Sequence, residues 1–188
     1  MSKPHIVGIG GTTRAGSSTE KALRFALNAC EDEGATTICL AAGVLSALPH
    51  YAPEKPERVE EAQVLINELR RADGIILASP GYHGTVSGLV KNALDYTEDM
   101  RDDDPPYFAN RPVGCIATGA GWQGVVMTLD TLRSIVHALR GWPTPMGAAI
   151  NSTQKVFGDD DGVVDERVRF QLETLAKEVL QFVRWRAG

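Results

Sequence analysis

The sequence predicts an α/β protein in which a parallel β-sheet lies between two layers of helices. Five short apolar runs of strand length alternate with five longer segments whose apolar residues recur at helical spacing. A parallel sheet of such strands has to be covered on both faces, and right-handed crossovers then produce a doubly wound, three-layer sandwich. Ligands of these sheets bind beyond the carboxyl ends of the strands, so the loops after the first, third and fourth strands are the candidate binding site.

The first half of the chain begins with a buried strand and its crossover helix. The apolar run Ile6–Gly10 is the strand and Ser18–Glu33 is the helix, with Gly34 as its C-cap. Pro56 is expected at the start of the next helix, which ends at Arg71. The other elements predicted here are a strand over Thr37–Ala42, a loop over 43–55 and a buried strand over Asp73–Ser79.

The second half continues the alternation. Pro80–Thr85 is predicted as a loop, Ser87–Thr97 as a helix and 99–111 as a polar connection. The remaining predicted elements are a strand over Pro112–Thr118, a helix over Gly124–Arg140, a strand over Pro145–Ile150 and a helix over Asp165–Arg184. Consecutive carboxylates rarely converge on one ion, so Asp102–Asp104 and Asp159–Asp161 are interpreted as solvated loops and no metal site is predicted.

Size and charge limit the classes of function. The chain has 188 residues and a hydrophobic fraction of 43%, which suits the core of a single domain over residues 1–188. A formal net charge of −5 argues against binding to nucleic acid or to anionic membranes. Met1–His5 leads directly into the first strand without a signal-peptide pattern, and no run reaches the length of a membrane span. These features, with three cysteines expected to be free and buried (Cys30, Cys39 and Cys115), predict a cytoplasmic protein.

The loop after the first strand carries the chemistry of an anion site. Gly10–Thr19 combines glycines, several hydroxyl groups and the guanidinium of Arg14 at the start of a helix, where free N–H groups and the helix dipole favour an anion. The alternative is that Ser17, Ser18 or Thr19 only caps the helix. The loop matches neither the GxGxxG fingerprint nor the P-loop, so a mononucleotide phosphate is favoured over a dinucleotide.

Two segments together resemble the motifs of the NADPH-dependent FMN reductase family. Residues 11–17 are similar to its Gly-Ser-x-Arg-x-x-Ser phosphate loop, and residues 79–95 to its Pro-x-Tyr-x-x-x-x-x-Gly-x-x-Lys-Asn-x-x-Asp segment. The sequence departs from the family pattern at Thr12, where Ser is usual, and at Thr19, where Asn is common. The resemblance implies a flavodoxin-like fold with a five-stranded sheet of order 2-1-3-4-5.

The resemblance also implies FMN as the cofactor and NADPH or NADH as its co-substrate. The phosphate would be held by Thr12, Arg14, Ser17 and Thr19. The residues implied around the flavin ring are Pro80, Gly81, Tyr82, His83, Gly84, Thr85, Thr118, Gly119 and Gly121. Tyr82 is an aromatic wall beside the ring or packs under the loop, and Trp122 covers the ring or substrate or packs between subunits. Lys91 and Asp95 form an i,i+4 pair with a structural or interface role.

The predicted activity is hydride transfer from NAD(P)H to bound flavin and on to an acceptor, which is free flavin, a quinone, an azo compound or a metal oxyanion. No side chain is predicted to act as acid, base or nucleophile, because the flavin carries the chemistry. The resemblance further implies a homodimer or homotetramer, and a flavin-dependent monooxygenase as a partner that takes up reduced flavin. The alternative is a flavodoxin-type electron carrier that does not itself oxidise NAD(P)H.

Overall fold

The computed structural model describes residues 3–187, so the expectation for Met1 and Ser2 lies outside the described residues, as does Gly188. The strands are β1 His5–Gly10, β2 Thr36–Leu40, β3 Gly74–Tyr82, β4 Thr85–Val86, β5 Pro112–Gly119 and β6 Trp142–Asn151. The helices are α1 Ser18–Asp32, α2 Ala42–Ala47, α3 Glu60–Arg71, α4 Gly88–Asp95, α5 Trp122–Ala138 and α6 Glu166–Ala187, with a 3-10 turn over Tyr96–Met100.

Five of the strands form one parallel sheet in the order β2-β1-β3-β5-β6. In terms of the five predicted strands this is the order 2-1-3-4-5, so the predicted flavodoxin-like topology is confirmed. The sixth strand, β4, is short and pairs antiparallel with the end of β3. It adds a hairpin at the carboxyl edge, where the candidate site was expected.

Two apolar cores lie on the two faces of the sheet. One core contains the inner faces of α3, α4 and α5, including Leu65, Val90 and Leu132. The other contains those of α1 and α6, including Leu23 and Leu175. In both cores the helix residues recur at three- and four-residue spacing and pack on side chains of the strands, which is the pattern expected of helices that bury one face. The predicted three-layer architecture is therefore present.

The segment between β2 and α3 was predicted wrongly. Ala42–Ala47 is helical rather than loop or strand, and α3 begins at Glu60 instead of Pro56. Arg58, just before α3, donates two hydrogen bonds to the Asp99 carboxylate, of 2.6 and 2.8 Å. This contact spans 41 residues and holds the chain extended where Pro56 alone favours a helix start.

Other boundaries moved because pairing across the sheet extends the strands. β3 continues through Pro80 to Tyr82, since Pro80 is in register with Thr118. β6 begins at Trp142 and includes two prolines, which an edge strand tolerates. Helix α5 begins at Trp122 rather than Gly124. Smaller shifts affect the other predicted ends by a few residues.

The cysteines and charged loops are structurally ordinary. All three cysteines are free; Cys30 and Cys115 are buried, which raises the pKa of each thiol to about 12, whereas Cys39 is only half-buried. Among residues 3–187, no cluster of three or more His, Cys, Asp or Glu side chains is arranged to hold a metal ion. Within the same range, no helix combines the length and the apolar composition of a membrane span.

Candidate functional site

The three candidate loops lie at one edge of the sheet because their strands are neighbours. Gly10 at the end of β1 pairs with Ala78 of β3, and Pro80 of β3 pairs with Thr118 of β5. The carboxyl ends of these parallel strands therefore meet, and the loops that follow them share one surface.

Close backbone contact determines how the first loop leaves β1. A Cβ atom on Gly10 would lie 2.1 Å from the carbonyl oxygen of Ala78, so only glycine fits at this position. The next residue, Gly11, has a φ of +113° and donates its N–H to the same carbonyl. Beyond it, the Thr12 hydroxyl accepts a hydrogen bond of 3.1 Å from the N–H of Arg14 and thereby closes a local turn.

The structure resolves which hydroxyl caps the helix. Ser17 is the N-cap of α1, and its side chain accepts the N–H of Glu20 at 3.3 Å. Thr19 is buried, and its hydroxyl lies 2.6 Å from that of Thr118, which is buried too. The Ser17 and Thr19 side chains thus have partners within the protein, whereas Arg14 and the Thr13 hydroxyl are exposed, together with free backbone N–H groups of the loop.

Several N–H groups of the loop have no acceptor in the part of the chain that the structure describes. They belong to Thr12, Thr13, Ala15, Ser17, Ser18 and Thr19. The Arg14 guanidinium is exposed and makes no ion pair within residues 3–187. Free helix N–H groups beside an unpaired cation are a suitable environment for a phosphate.

The second loop is a tight hairpin rather than the six-residue loop predicted. Tyr82 pairs with Thr85, and the two residues between them, His83 and Gly84, have φ values of +52° and +82°. Two successive positive φ angles are typical of a type I′ turn, whose twist matches that of the strands. The hairpin exposes backbone and the Tyr82 side chain, which is 52% exposed, while Pro80 is buried at its base.

The hairpin packs against the first turns of α5. A Cβ atom on Gly81 would lie 2.7 Å from the Thr128 hydroxyl oxygen, and one on Gly84 would lie 3.2 Å from the Met127 methyl group. The Thr128 hydroxyl oxygen lies 2.7 Å from the carbonyl oxygen of Gly124 and 3.3 Å from that of Thr85, so it is within donating distance of both α5 and the hairpin. The position of the hairpin therefore depends on glycines and on Thr128, a residue that no sequence pattern indicated.

The third loop brings small residues next to this hairpin. A Cβ atom on Gly119 would lie 3.9 Å from the carbonyl oxygen of Gly81, and Gly121 is the N-cap of α5 with open space around it. Trp122, in the first turn of that helix, is 48% exposed. Ser152, after β6, donates its N–H to the Gly119 carbonyl at 2.8 Å. A fourth segment, not predicted, thus supports the site from β6.

The Lys-Asn-x-x-Asp part of the second motif lies on α4, and its described contacts are outside the three loops. The Asn92 amide accepts the N–H of Tyr51 at 2.9 Å and donates to the carbonyl of Pro49 at 2.8 Å. Lys91 and Asp95 form the predicted pair, with 2.5 Å between the Nζ and Oδ1 atoms. Asn92 therefore anchors the segment between β2 and α3, a role that no local pattern indicated.

Grooves with volumes up to about 530 Å³ lie away from the three loops, so cavity volume does not locate the site. A groove of about 350 Å³ is lined by Asn110, Trp142, Phe182, Trp185 and Arg186. Trp142 begins β6 and Asn110 precedes β5, so this groove lies at the amino edge, opposite the three loops. The candidate site is therefore identified by its polar groups and backbone geometry rather than by cavity volume.

Comparison with known proteins decides the family. The sequence model described as NADPH-dependent FMN reductase matches residues 4–155. The chain belongs to this family. The predicted family is thereby confirmed, and with it the predicted class of enzyme, an NAD(P)H-dependent flavin oxidoreductase that uses FMN.

Relatives of this FMN reductase family member include two azoreductases. The chain is 35% identical over 126 residues to the FMN-dependent NADPH-azoreductase of Staphylococcus saprophyticus, a match that covers 65% of this chain and 62% of that protein. It is 24% identical over 179 residues to the NADPH azoreductase of Bacillus sp. strain OY1-2, covering 95% and 92%. The chain thus spans less than two thirds of the first relative and nearly all of the second.

Solved structures support the fold. FerB, the flavoenzyme NAD(P)H:(acceptor) oxidoreductase from Paracoccus denitrificans, superposes with a TM-score of 0.79 at 18% identity, covering 96% of this chain and 97% of that one. An apo form of NADH:FMN oxidoreductase (EMOB) gives a TM-score of 0.67 at 20% identity, covering 94% and 90%. A flavodoxin, the WrbA-like protein from Agrobacterium tumefaciens, gives a TM-score of 0.66 at 16% identity, covering 97% of this chain and 99% of that one. These similarities show a shared flavodoxin-like architecture.

Proposed function

We propose that the chain forms one domain that binds FMN at the carboxyl edge of its sheet and transfers electrons from NAD(P)H to a small-molecule acceptor. One observation carries the proposal. The phosphate-type loop, the β3–β4 hairpin and the glycine-rich start of α5 converge on a single surface. The first of the three offers groups that suit the phosphate of FMN, and the other two offer a surface that suits its ring.

The first loop fits a phosphate group. Its N–H groups at the start of α1 lack acceptors among residues 3–187, and Arg14 is the exposed cation beside them. In this proposal Arg14 and the backbone hold the phosphate, while Thr12 and Ser17 shape the loop and Thr19 ties it to β5. The side-chain roles first expected for Ser17 and Thr19 are thereby reassigned to support.

The other two loops fit a flat ring. Gly81 and Gly119 lie side by side, since a Cβ atom on Gly119 would lie 3.9 Å from the carbonyl oxygen of Gly81, and neither residue has a side chain to keep a flat ring away from the backbone. Residues Pro80–Thr85 form one wall, with exposed Tyr82 and His83, and Thr118–Gly121 form the other. When bound, FMN supplies the redox chemistry, accepting electrons from NAD(P)H and passing them to the acceptor. The protein binds and orients the ring, and no side chain is assigned as acid, base or nucleophile.

The proposed acceptor is a planar aromatic compound, with azo compounds first and quinones second. Two relatives are named azoreductases, and exposed apolar side chains surround the proposed ring site. Tyr82, Trp122 and Met127 are each about half exposed, at 52, 48 and 49%. Such side chains favour contact with a flat apolar substrate over a metal oxyanion. The alternative acceptor is free flavin, which would be passed on to a partner monooxygenase. Its rate of reduction should be compared with those of azo compounds and quinones.

A homodimer is proposed as the assembly. Val126 and Met127 expose an apolar surface on α5 next to the hairpin, and exposed apolar patches mark contact surfaces. Light scattering at several protein concentrations tests this assembly, with a monomeric mass as the contrary result and a tetramer as the larger alternative.

Anaerobic stopped-flow mixing tests the activity. Protein loaded with FMN is mixed with NADPH, and the flavin absorbance is followed, with free FMN and NADPH as the control. A reductase loses its oxidised-flavin absorbance within a turnover and regains it when an azo dye or quinone is added. A flavodoxin-type carrier binds FMN but leaves NADPH unoxidised, which would contradict the proposal.

A further inference from the structure

Glu20 is a buried acid directly beneath the proposed phosphate loop. It lies in the first turn of α1 and is only 6% exposed. A carboxylate is rarely buried without partners, because desolvation penalises its charge strongly. A negative charge near an anion site also opposes binding of the anion. A specific function of Glu20 would explain why an acid occupies this position.

The contacts of Glu20 divide between its two oxygen atoms. One oxygen, Oε2, accepts the backbone N–H of Gly16 at 3.2 Å. The other, Oε1, accepts two hydrogen bonds from Arg24, of 2.9 and 2.7 Å. One oxygen thus fixes the loop, and the other pairs the negative charge with a guanidinium one helical turn away.

This arrangement differs from an ordinary capping box by one residue. In a capping box the acid at the third helical position accepts the N–H of the N-cap residue itself. Here Ser17 is the N-cap, but Glu20 accepts from Gly16, whose φ is +68°. The N–H of Ser17 consequently stays free, together with those of Ser18 and Thr19, within the described part of the chain.

We propose that Glu20 is a positioning residue that holds Gly16 in its left-handed conformation and so presents the free N–H groups of α1 to the phosphate of FMN. Arg24 compensates the charge of the carboxylate. The proposal rests on the proposed FMN binding, and it adds that the loop is formed before the ligand arrives, which lowers the ordering cost of binding.

A simpler function for Glu20 would be stabilisation of α1 through the helix dipole. That function depends on the charge of the side chain and does not require a hydrogen bond with the Gly16 N–H. It would also affect flavins with and without a phosphate equally. The two functions are therefore separable by comparing side chains and ligands.

The test compares Glu20→Gln with Glu20→Ala, using FMN and riboflavin as ligands. Both variants are made in an Arg24→Ala background, so that no guanidinium competes with Gly16 for the amide oxygen. Both remove the same charge, but only glutamine retains an oxygen that accepts the Gly16 N–H. We expect Glu20→Gln to bind FMN about tenfold more tightly than Glu20→Ala, the factor expected for one hydrogen bond of this kind. Riboflavin, which lacks the phosphate, should bind both variants equally. Asp32→Ala, an exposed change of equal charge at the far end of α1, is the control and should bind FMN like the wild type.

Equal FMN affinity of the glutamine and alanine variants would overturn the proposal. So would a tenfold difference that riboflavin shares, since that result indicates a general structural effect. Amide hydrogen exchange of Gly16 in the wild-type protein is an independent measurement that does not require the variants to fold. Protection of this amide is expected, and exchange at the rate of an open loop would overturn the proposal. Wild-type protein that binds neither flavin would instead refute the proposed function.

Discussion

The hydroxyl oxygens of Thr19 and Thr118 lie 2.6 Å apart, both buried, and join the first turn of α1 to the carboxyl end of β5. The two residues are 99 positions apart in the sequence. The hydrogen bond connects the loop proposed to hold the phosphate with the loop proposed to hold the ring. The two halves of the site are therefore fixed relative to each other before a ligand binds.

Replacing one of these threonines by valine should destabilise the protein. Thr118→Val preserves shape but leaves the Thr19 hydroxyl buried without its partner, which costs about 1–3 kcal/mol. The double variant Thr19→Val/Thr118→Val should recover much of this loss, because replacing both partners by apolar groups is nearly neutral. Urea unfolding of the wild type, both single variants and the double variant measures the coupling. Additive effects in this cycle would show that the hydrogen bond contributes nothing.

Arg14 should affect the phosphate and no other part of the flavin. Arg14→Ala is expected to weaken FMN binding about ten- to a hundredfold, the range for one charge-assisted hydrogen bond, and to leave riboflavin affinity unchanged. Fluorescence titration with each flavin gives the two ratios. Arg101→Ala, which removes an exposed guanidinium away from the three loops, is the matched control. A loss of affinity shared by both flavins would contradict a specific contact between Arg14 and the phosphate.

Gly81 should tolerate no side chain while Thr128 is present. A Cβ atom would lie 2.7 Å from the Thr128 hydroxyl oxygen and 3.2 Å from the carbonyl oxygen of Gly124, so Gly81→Ala is expected to cost about 1–3 kcal/mol of stability and to weaken both flavins. Thr128→Ala added to this variant should restore part of the loss by removing the closer atom.

Gly124→Ala is the control for the glycine series. A Cβ atom there meets nothing within 4 Å, and alanine favours helix, so its stability should be equal or higher by up to about 1 kcal/mol. Thermal unfolding measures all three variants. If Gly81→Ala unfolded at the same temperature as Gly124→Ala, the close packing of the hairpin on α5 would be contradicted.

The Arg58–Asp99 pair should make stability depend on pH in the acid range. Hydrogen bonding from Arg58 holds the pKa of Asp99 below its ordinary value. A carboxylate with a lowered folded-state pKa stabilises the protein above its unfolded pKa of about 4, and that contribution is lost as the pH falls through the folded pKa. The difference in unfolding free energy between wild type and Asp99→Asn should be constant near neutral pH and shrink below about pH 4.

The neighbouring Asp102 provides the comparison for this pH dependence. Its side chain is 89% exposed, so Asp102→Asn should match the wild type at every pH. Urea unfolding between pH 7 and pH 2 gives both differences. The unfolding free energy of the wild type minus that of Asp99→Asn should not grow as the pH falls. Growth would contradict a lowered pKa of Asp99.

The sequence predicted those parts of the fold that local patterns control. The strands of the parallel sheet were found because their apolar runs are nearly continuous. Gly34 was predicted as the C-cap of α1; the C-cap is Glu33, and Gly34 follows it with a φ of +92°. The start of α3 was missed because a contact with Asp99 overrides the local signal of Pro56. The hairpin after β3 was missed because the pairing of Pro80 with Thr118 is not visible along the chain.

The candidate site was predicted as a set of loops rather than as a set of contacts. Motif resemblance singled out Arg14, Gly81 and Gly119 as candidates, because their chemistry is visible in the local sequence. It did not indicate that Thr19 and Thr118 bond to each other, nor that Thr128 supports the hairpin, since both depend on packing between distant segments. Glu20 had a local signal, the Ser-x-x-Glu spacing, but its contact with Gly16 differs from the one that this spacing normally implies.

The most direct test of the proposed phosphate site is the affinity of the wild-type protein for FMN relative to riboflavin. The two ligands share the ring and differ by the phosphate, so their ratio reports on the loop over 12–19 alone. If this loop binds the phosphate, FMN should bind at least about tenfold more tightly than riboflavin, and the ratio should fall as salt screens the Arg14 charge. Equal affinities, or no binding of either flavin, would contradict it.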